Sequence, residues 1–222
     1  PDSGQEGLLG ACVPCGARWS LALLSLSTGR FEAGSLPEQE ARGVLLSFAP
    51  QEILVPAGVA LSDLGIPRVE RERDLFSPAA GEALLRQRLG VRTLEGLGFE
   101  EGEPSLGAAG AVLRYVEETQ FRPTGHLQPL KRIWTRCGLL LDPSSQRNLD
   151  LVEGRGGSLF TLLNRCRTPM GRRLLRRWIL QPLNDPEAIG QRQEAVAHLL
   201  ETPGRHRTLQ ELLSGLGDAE RA

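Results

Sequence analysis

The sequence predicts two units in series, a mixed α/β unit followed by an all-α unit. Three observations support this. Short apolar runs with strand-like patterns fill the first half, helix start signals dominate the second half, and the charge changes sign between them. Residues 1–121 hold 10 arginines and 17 acidic residues, whereas residues 122–222 hold 16 basic and 10 acidic residues. We therefore expect one domain at 1–122 and another at 123–222.

The first three elements are predicted to form an antiparallel meander. Each is a short apolar or alternating run, and turn residues separate one run from the next. These runs occupy residues 7–13, 18–27 and 30–34. A further short strand is predicted at 52–55, whereas the polar stretch at 65–74 indicates a surface segment.

Helix start signals predict the other elements of the first half. Ser35 and Glu38 have the spacing of a capping box, which begins a helix. Ser77 before Pro78 is an N-cap followed by a proline in the first helical position. The longest predicted helix of this half occupies residues 104–120, where apolar residues recur at helical spacing.

The second half is predicted to be helical after one strand-like stretch at residues 130–141. Ser158 is one predicted N-cap, and three further helices begin with a Thr or Asp N-cap followed by proline. These three pairs are Asp142-Pro143, Thr168-Pro169 and Asp185-Pro186. Gly217 and Asp218 indicate the start of one more helix. Because Met170 is the only methionine of the chain, we expect a fragment of a longer protein.

Composition and motifs exclude several classes of function. No apolar run approaches the roughly 18 residues that a membrane span needs, and the first residues have no signal-peptide pattern. P-loop hydrolysis of nucleotides requires Gly-Lys-Ser/Thr, because the lysine reaches the phosphates. The only lysine, Lys131, lies between Leu130 and Arg132. We therefore expect that this chain neither binds nor hydrolyses ATP.

Cysteines, histidines and carboxylates give weak signals for chemistry. Cys12 and Cys15 form a C-x-x-C pair, which suits a redox pair or half of a zinc site, while Cys137 and Cys166 stand singly. The histidines lack a partner at a spacing typical of a nucleophile and its base. The first two predicted strands carry no acidic residue, so a nuclease on this scaffold would lack its metal ligands. We expect no catalytic, cofactor-binding or metal-binding residue, with a zinc or redox protein as one alternative.

The strongest local feature is an Arg-rich helix predicted after Pro169, over residues 169–180. Its arginines are expected on one side, where they either contact DNA phosphates or pair with acids of neighbouring helices. These arginines are Arg172, Arg173, Arg176 and Arg177. The other side is predicted to be structural core, formed by Leu174, Leu175 and Trp178.

Several runs of residues carry a family resemblance. In the second half they are Leu141-Asp142-Pro143, Gly156-Gly157-Ser158-Leu159, Thr168-Pro169-Met170-Gly171-Arg172, Arg192-Gln193 and Gly217-Asp218-Ala219-Glu220-Arg221. In the first half they are Ser27-Thr28-Gly29-Arg30-Phe31 and the helix end at Thr119-Gln120. Together they resemble the connector and core domains of the MutS family of DNA mismatch-repair proteins. The resemblance implies an RNase H-like, non-catalytic connector at 1–122 and the N-terminal part of a helical core domain at 123–222.

The resemblance also implies a function and its partners. The chain would be the middle segment of an ATP-dependent mismatch-recognition protein and would couple its mismatch-binding end to its ATPase end. ATP and Mg would bind the parent protein, with no cofactor in this chain. The expected partners are the rest of the MutS-type chain, DNA through the parent, a homodimer partner and a MutL-type protein, in a bacterial cytoplasm without membrane contact. The alternative is a stand-alone nucleic-acid-binding module that uses the Arg-rich helix 169–180.

Overall fold

The computed structural model describes residues 7–59, 64–119, 127–133, 139, 141, 143–154, 156–201 and 204–219. The predicted linker at 122–125, His126, Cys137, the N-cap Asp142 and the terminal Glu220-Arg221 lie outside the described residues. The chain divides into two compact units, of which the first is Glu6–Trp134 and the second includes Thr135–Ala222. This unit extends beyond the expected boundary at 122, because residues 131–132 pair with its sheet.

The first unit is built on a six-stranded mixed sheet. Its strands are β1 (Leu8–Cys15), β2 (Arg18–Ser25), β3 (Phe31–Pro37), β4 (Glu52–Pro56), β5 (Arg68–Arg71) and β6 (Lys131–Arg132). Their spatial order is β5-β4-β1-β2-β3-β6. The predicted meander is confirmed, since β1, β2 and β3 pair antiparallel, while β4 joins β1 and β6 joins β3 in parallel.

Helices cover this sheet. They are α1 (Glu38–Phe48), α2 (Pro78–Leu89) and α3 (Pro104–Thr119). Successive residues of a strand point to opposite faces, so alternate residues of β1 and β2 enter the core cluster that includes α3. Leu9, Ala11, Ala22 and Leu24 belong to it, together with Leu106, Val112 and Leu113 of the helix. All seven are at most 2% exposed.

Helices α2 and α3 approach each other through glycines. A Cβ atom on Gly110 would lie 2.3 Å from the Cα of Gly81, and one on Gly107 would lie 2.1 Å from the carbonyl oxygen of Phe76. Any larger side chain at these positions would therefore collide with backbone. The contact also explains why α3 holds two glycines in its interior, where glycine weakens a helix.

Two predictions for the first unit are wrong in detail. Ser35 does not cap α1. It lies in β3 with its Oγ 2.9 Å from the Oγ of Ser20, and the helix begins after Pro37 without a side-chain cap. The stretch at 65–74 is not only a surface segment, because it contains β5. This strand lies at the sheet edge and alternates exposed and half-buried residues, so its apolar pattern is too weak to recognise.

The second unit is helical in the part of the chain that the structure describes. Its helices are α4 (Pro143–Asn148), α5 (Leu159–Leu163), α6 (Pro169–Leu180), α7 (Pro186–Glu201) and α8 (Arg205–Ser214). The predicted caps at Ser158 and Thr168 are confirmed, since each hydroxyl accepts from the amide three residues later at 3.1 Å. The fold class, a mixed sheet with helices followed by a helical segment, is therefore as predicted. Among the described helices, none is long and apolar enough to cross a membrane.

Candidate functional site

The Arg-rich helix α6 begins where its local signals place it. The Oγ1 of Thr168 accepts from the amide of Gly171 at 3.1 Å, and Pro169 occupies the first turn. The cap satisfies one of the amides that every helix start leaves free. This start fixes the positions of the four arginines that follow.

Arg173 is buried and ion-paired. Its side chain is 3% exposed, and its two terminal nitrogens donate to the two carboxylate oxygens of Asp218 at 2.7 and 2.6 Å. Such a two-point contact gives an Arg–carboxylate pair a defined geometry as well as energy. Arg173 is therefore an internal tie of the second unit and is not available to a phosphate.

The predicted arginine side of α6 is thus corrected. Arg172 and Arg177 are exposed and Arg176 is half-buried, but Arg173 between them points inward. The buried line of this helix contains Arg173 and Leu180, which are seven residues and about two turns apart. An acid 45 residues away neutralises Arg173, and helical spacing alone gives no sign of such a partner.

The predicted apolar side of α6 is also corrected. Leu174 and Trp178 are 37% and 40% exposed, and Leu175 is half-buried, so Leu174 and Trp178 are not core in this structure. The guanidinium carbon of Arg192 lies 3.9 Å from the centroid of the Trp178 ring. Helical spacing identified an apolar side, but it does not say which neighbour covers that side.

Further arginines lie close in sequence to α6. Arg165 and Arg167 precede the helix and are exposed, as is Arg172. These three exposed residues are here called the basic surface. Exposed arginines of this kind suit a polyanion.

Cys12 and Cys15 do not form a working pair. Both lie on β1 three residues apart, so their side chains point to opposite faces of the sheet. Cys12 is fully buried, and burial, with the Cys15 charge as a smaller cause, raises the pKa of its thiol to about 12. The described residues hold no cluster of three His, Cys, Asp or Glu side chains suited to a metal ion. On this strand, Cys12 and Cys15 are not placed to share a zinc ion or to form a disulfide with each other.

The two described histidines are exposed and bonded to neighbours along the chain. His198 Nε2 lies 2.7 Å from Nη1 of Arg205, and His206 Nε2 lies 3.0 Å from Nε2 of Gln210. Neither contact is a pairing of a base with a nucleophile.

A carboxylate, a phenol and a guanidinium meet beside the sheet. Burial raises the pKa of Tyr115, and so do the charge and hydrogen bond of Glu52, whereas Arg71 acts in the opposite direction. The Arg71 guanidinium carbon lies 4.8 Å from the Tyr115 ring centroid. The group ties α3 to the strand edge through a cation–π contact, and an ion pair of Arg71 with Glu118 at 4.0 Å adds to this attachment.

Sequence reasoning missed one polar cluster, at the start of α3. Arg132 donates from Nε to the carbonyl of Gly98 at 2.8 Å and forms a two-point contact with Glu103 at 2.6 and 3.1 Å. Its guanidinium carbon also lies 4.9 Å from the Phe99 ring centroid. A cavity of about 390 Å³ lies beside this cluster and is also lined by Cys15, Arg18, Ser20, Ser35 and Glu100. Glu103 and Gly98 precede Arg132 by 29 and 34 residues in sequence, so no local pattern predicts these contacts.

Both units match known domains. The first matches the family model MutS domain II over residues 8–128, and the second matches MutS domain III over residues 144–222. Neither of these is the ATPase domain of the family. The chain therefore consists of two consecutive domains of a class of multidomain DNA mismatch-repair proteins.

Individual relatives agree. The DNA mismatch repair protein MutS of Acaryochloris marina is 37% identical over 240 residues, which cover 98% of this chain and 27% of that protein. The MutS proteins of Roseiflexus sp. and Roseiflexus castenholzii are 32% and 33% identical, each over 98% of this chain and 25% of their own length. The chain belongs to the MutS family. It spans about a quarter of the length of these relatives.

Proposed function

We propose that this chain is the middle segment of a MutS-type mismatch-recognition protein and couples its mismatch-binding end to its ATPase end. The observation that carries the proposal is the succession of a domain II match at 8–128 and a domain III match at 144–222. A segment with this order of domains lies between other parts of a longer chain. Its contribution is then mechanical, as a body that passes displacement from one neighbour to the next.

The packing of the first unit supports a mechanical role for this chain. Its strands and α3 share a core in which most side chains are almost fully buried. Helices α2 and α3 meet at glycine backbones, so they cannot move closer together. Interiors packed in this way have low compressibility and transmit strain instead of absorbing it.

The surface of the second unit supports contacts with further chain. Every large apolar residue described as exposed lies in this unit, and the set includes Leu162, Trp178, Val196, Leu200 and Leu212. Leu159, Leu162 and Leu163 are neighbours on one side of α5 and are all exposed, and contiguous apolar surface of this kind usually marks a site of interaction. We infer that other parts of the longer MutS-type chain cover these side chains.

The partners and cofactors follow from the same proposal. DNA, ATP with Mg, a second copy of the parent and a MutL-type protein are partners of the longer protein. This chain contributes no residue to ATP chemistry, because Lys131 is its only lysine and stands outside any phosphate-loop motif. The three relatives are bacterial proteins, and we place the parent in the bacterial cytoplasm.

A flexible insertion tests the coupling. In a full-length family member that carries this segment, a Gly/Ser stretch of about ten residues is inserted between the two units, after residue 134. We expect heteroduplex affinity and basal ATP turnover to be retained, while the response of ATP turnover to mismatched DNA is lost. The matched control carries the same insertion between Gly16 and Ala17. These two exposed residues form the hairpin turn that joins β1 to β2 within the first unit.

The two insertions give opposite expectations. The control leaves the connection between the units intact, so its response to mismatched DNA should persist. If the insertion after residue 134 also left that response intact, the segment would not transmit it, and the coupling function would have to be abandoned.

The second candidate function is a nucleic-acid-binding module. The basic surface of Arg165, Arg167 and Arg172 favours it, because all three are exposed and the segment 154–184 contains no acidic residue. Under the coupling proposal, the 222-residue chain binds DNA no more tightly than the weak end of the non-specific range, about 10⁻⁴ M at physiological salt. Homoduplex and G·T heteroduplex DNA then bind alike.

A titration at two salt concentrations separates the two candidates. Replacing Arg165, Arg167 and Arg172 by Gln should weaken the residual affinity and flatten its salt dependence. The matched control replaces three exposed arginines of the acidic half, Arg86, Arg92 and Arg114, with the same change of charge. A clear preference for heteroduplex, lost only in the first variant, would favour the binding module.

A further inference from the structure

The last segment of the first unit runs along the outer edge of β3. Residues 127–133, here called the strap, contain the two-residue strand β6. The strap is attached by the β6–β3 pairing, by a bond of 3.1 Å from the Gln128 side-chain amide to the Thr28 carbonyl, and by two further backbone bonds. The amide of Gln128 donates to the carbonyl of Gly29 at 2.9 Å, and the amide of Ile133 donates to that of Ala33 at 2.8 Å. A pairing this short does not hold an edge strand by itself.

Apolar contacts add to this attachment. Leu130 is 1% exposed and belongs to the core cluster, and Ile133 is 8% exposed. A Cβ on Gly34 would lie 3.3 Å from the Cβ of Ile133, so the strap lies close against β3 at this point. The strap therefore covers an edge that would otherwise expose core.

The side chain of Arg132 is the strongest polar tie of the strap. It reaches away from β3 to the loop before α3, where it contacts the Gly98 carbonyl and both oxygens of Glu103. The carboxylate is itself fixed, because the Oγ of Ser105 donates to Glu103 Oε1 at 2.7 Å. The two charged side chains are 24% and 12% exposed, so water screens this pair less than a surface pair.

We propose that the strap is a latch, which opens as a unit while the rest of the sheet stays folded, and that Arg132 is the positioning residue that holds it closed. The strap pairs with one strand only, over two residues, so its opening disrupts less of the sheet than the opening of an inner strand does. Opening breaks the apolar contacts of Leu130 and Ile133 and the hydrogen bonds of Arg132 with Gly98 and Glu103. Because the chain continues from the strap to the second unit, the latch decides whether that continuation is tied to the sheet. This last use rests on the proposed coupling function, whereas the opening itself does not.

Hydrogen exchange in the 222-residue chain tests the latch. The variant is Arg132→Met, which keeps an unbranched apolar stem and removes the guanidinium. We expect the amides of Gln128 and Ile133 to exchange about ten-fold faster or more, as loss of a charge-assisted hydrogen bond implies. The amides of β2, paired on both sides, should keep their rates.

Two further variants sharpen the experiment. Glu103→Gln removes the carboxylate charge and should accelerate the same two amides without affecting β2. Lys131→Met is the matched control, since Lys131 is exposed and its side chain points to the other face of the sheet, so it should leave all rates unchanged.

The outcomes separate the latch from simpler roles. If exchange of the β2 and strap amides accelerated equally, Arg132 would only add to the stability of the whole unit. If exchange of the strap amides stayed unchanged, the contacts of Arg132 with Gly98 and Glu103 would not hold the strap. Either result overturns the proposal. None of these measurements uses DNA or ATP, so failure of the latch is distinguishable from failure of the coupling function.

Discussion

Arg173 and Asp218 form a buried two-point ion pair within the second unit, between residues 45 positions apart in sequence. The arginine comes from the middle of the Arg-rich helix α6, and the acid lies in the Gly217-Asp218 run that follows α8. The pair turns an arginine that looks like part of a DNA-binding surface into an internal support. Four expectations for the purified chain follow from this and from other contacts.

The first concerns the ion pair. Arg173→Met removes the two-point contact between Arg173 and Asp218, whose side chains are 3% and 22% exposed, and breaking such a pair costs about 3 kcal/mol. We expect the second unit to unfold at clearly lower urea concentration, as followed by far-UV circular dichroism. Arg172→Met, on the exposed neighbour, should change the free energy of unfolding by less than about 0.5 kcal/mol. Similar losses in both variants would contradict the assigned roles.

The second concerns the exposed indole of α6. Trp178→Ala removes a contact with Arg192, and a cation–π contact at an exposed site contributes about 0.5–1 kcal/mol. We expect a loss near that value in urea unfolding. Leu180→Ala on the same helix removes a side chain that is 7% exposed and should cost about 2–5 kcal/mol. A larger loss for Trp178→Ala than for Leu180→Ala would show that the indole is core after all.

The third concerns the glycine contact between α2 and α3. Gly110→Ala places a methyl group 2.3 Å from the Cα of Gly81, so the helices must separate, and overpacking of this kind costs about 1–3 kcal/mol. This loss opposes the gain of up to about 1 kcal/mol that alanine brings to a helix interior. Gly190→Ala in α7 has nothing within 4 Å of the new methyl group and should be stabilising. Calorimetry on both variants checks the opposite signs.

The fourth concerns the buried thiol of Cys12. Its pKa is raised from 9.0 to about 12 in the folded chain, because burial disfavours the thiolate. Below about pH 9 both states hold the proton, and above it the unfolded state loses the proton first. Stability is therefore lost as the pH rises from about 9 towards 12, with a slope near 1.4 kcal/mol per pH unit.

Urea unfolding of wild type and Cys12→Ala at about pH 8 and pH 10 isolates this contribution, since other groups titrate equally in both. The wild type should lose about 1.4 kcal/mol more than the variant over that interval. In the folded chain at the lower pH, iodoacetamide should modify the exposed Cys15 and leave Cys12 unmodified. An equal loss in the two proteins would mean that the Cys12 thiol ionises normally.

Local signals predicted the elements that depend on neighbouring residues. The hydroxyls of Ser77, Ser158 and Thr168 each accept from the amide three residues later, and a helix start needs little else to be recognised. The meander was predictable for a similar reason, since short turns join its strands. The Ser35 prediction failed because the same residue type also suits a strand, and there its hydroxyl contacts Ser20 on the neighbouring strand.

Charge and periodicity alone determined that this chain has an α/β half and a helical half with an arginine-rich helix, because these properties are sums or spacings over nearby residues. Tertiary structure decided which arginine is exposed. Arg173 can be buried because it is ion-paired with Asp218. Arg132 is held by an ion pair with Glu103, because the loop before α3 lies beside β6. Both partnerships join residues 29 to 45 positions apart, and an ion pair forms wherever the fold brings opposite charges together. Sequence spacing does not encode that meeting, so the fold had to supply it.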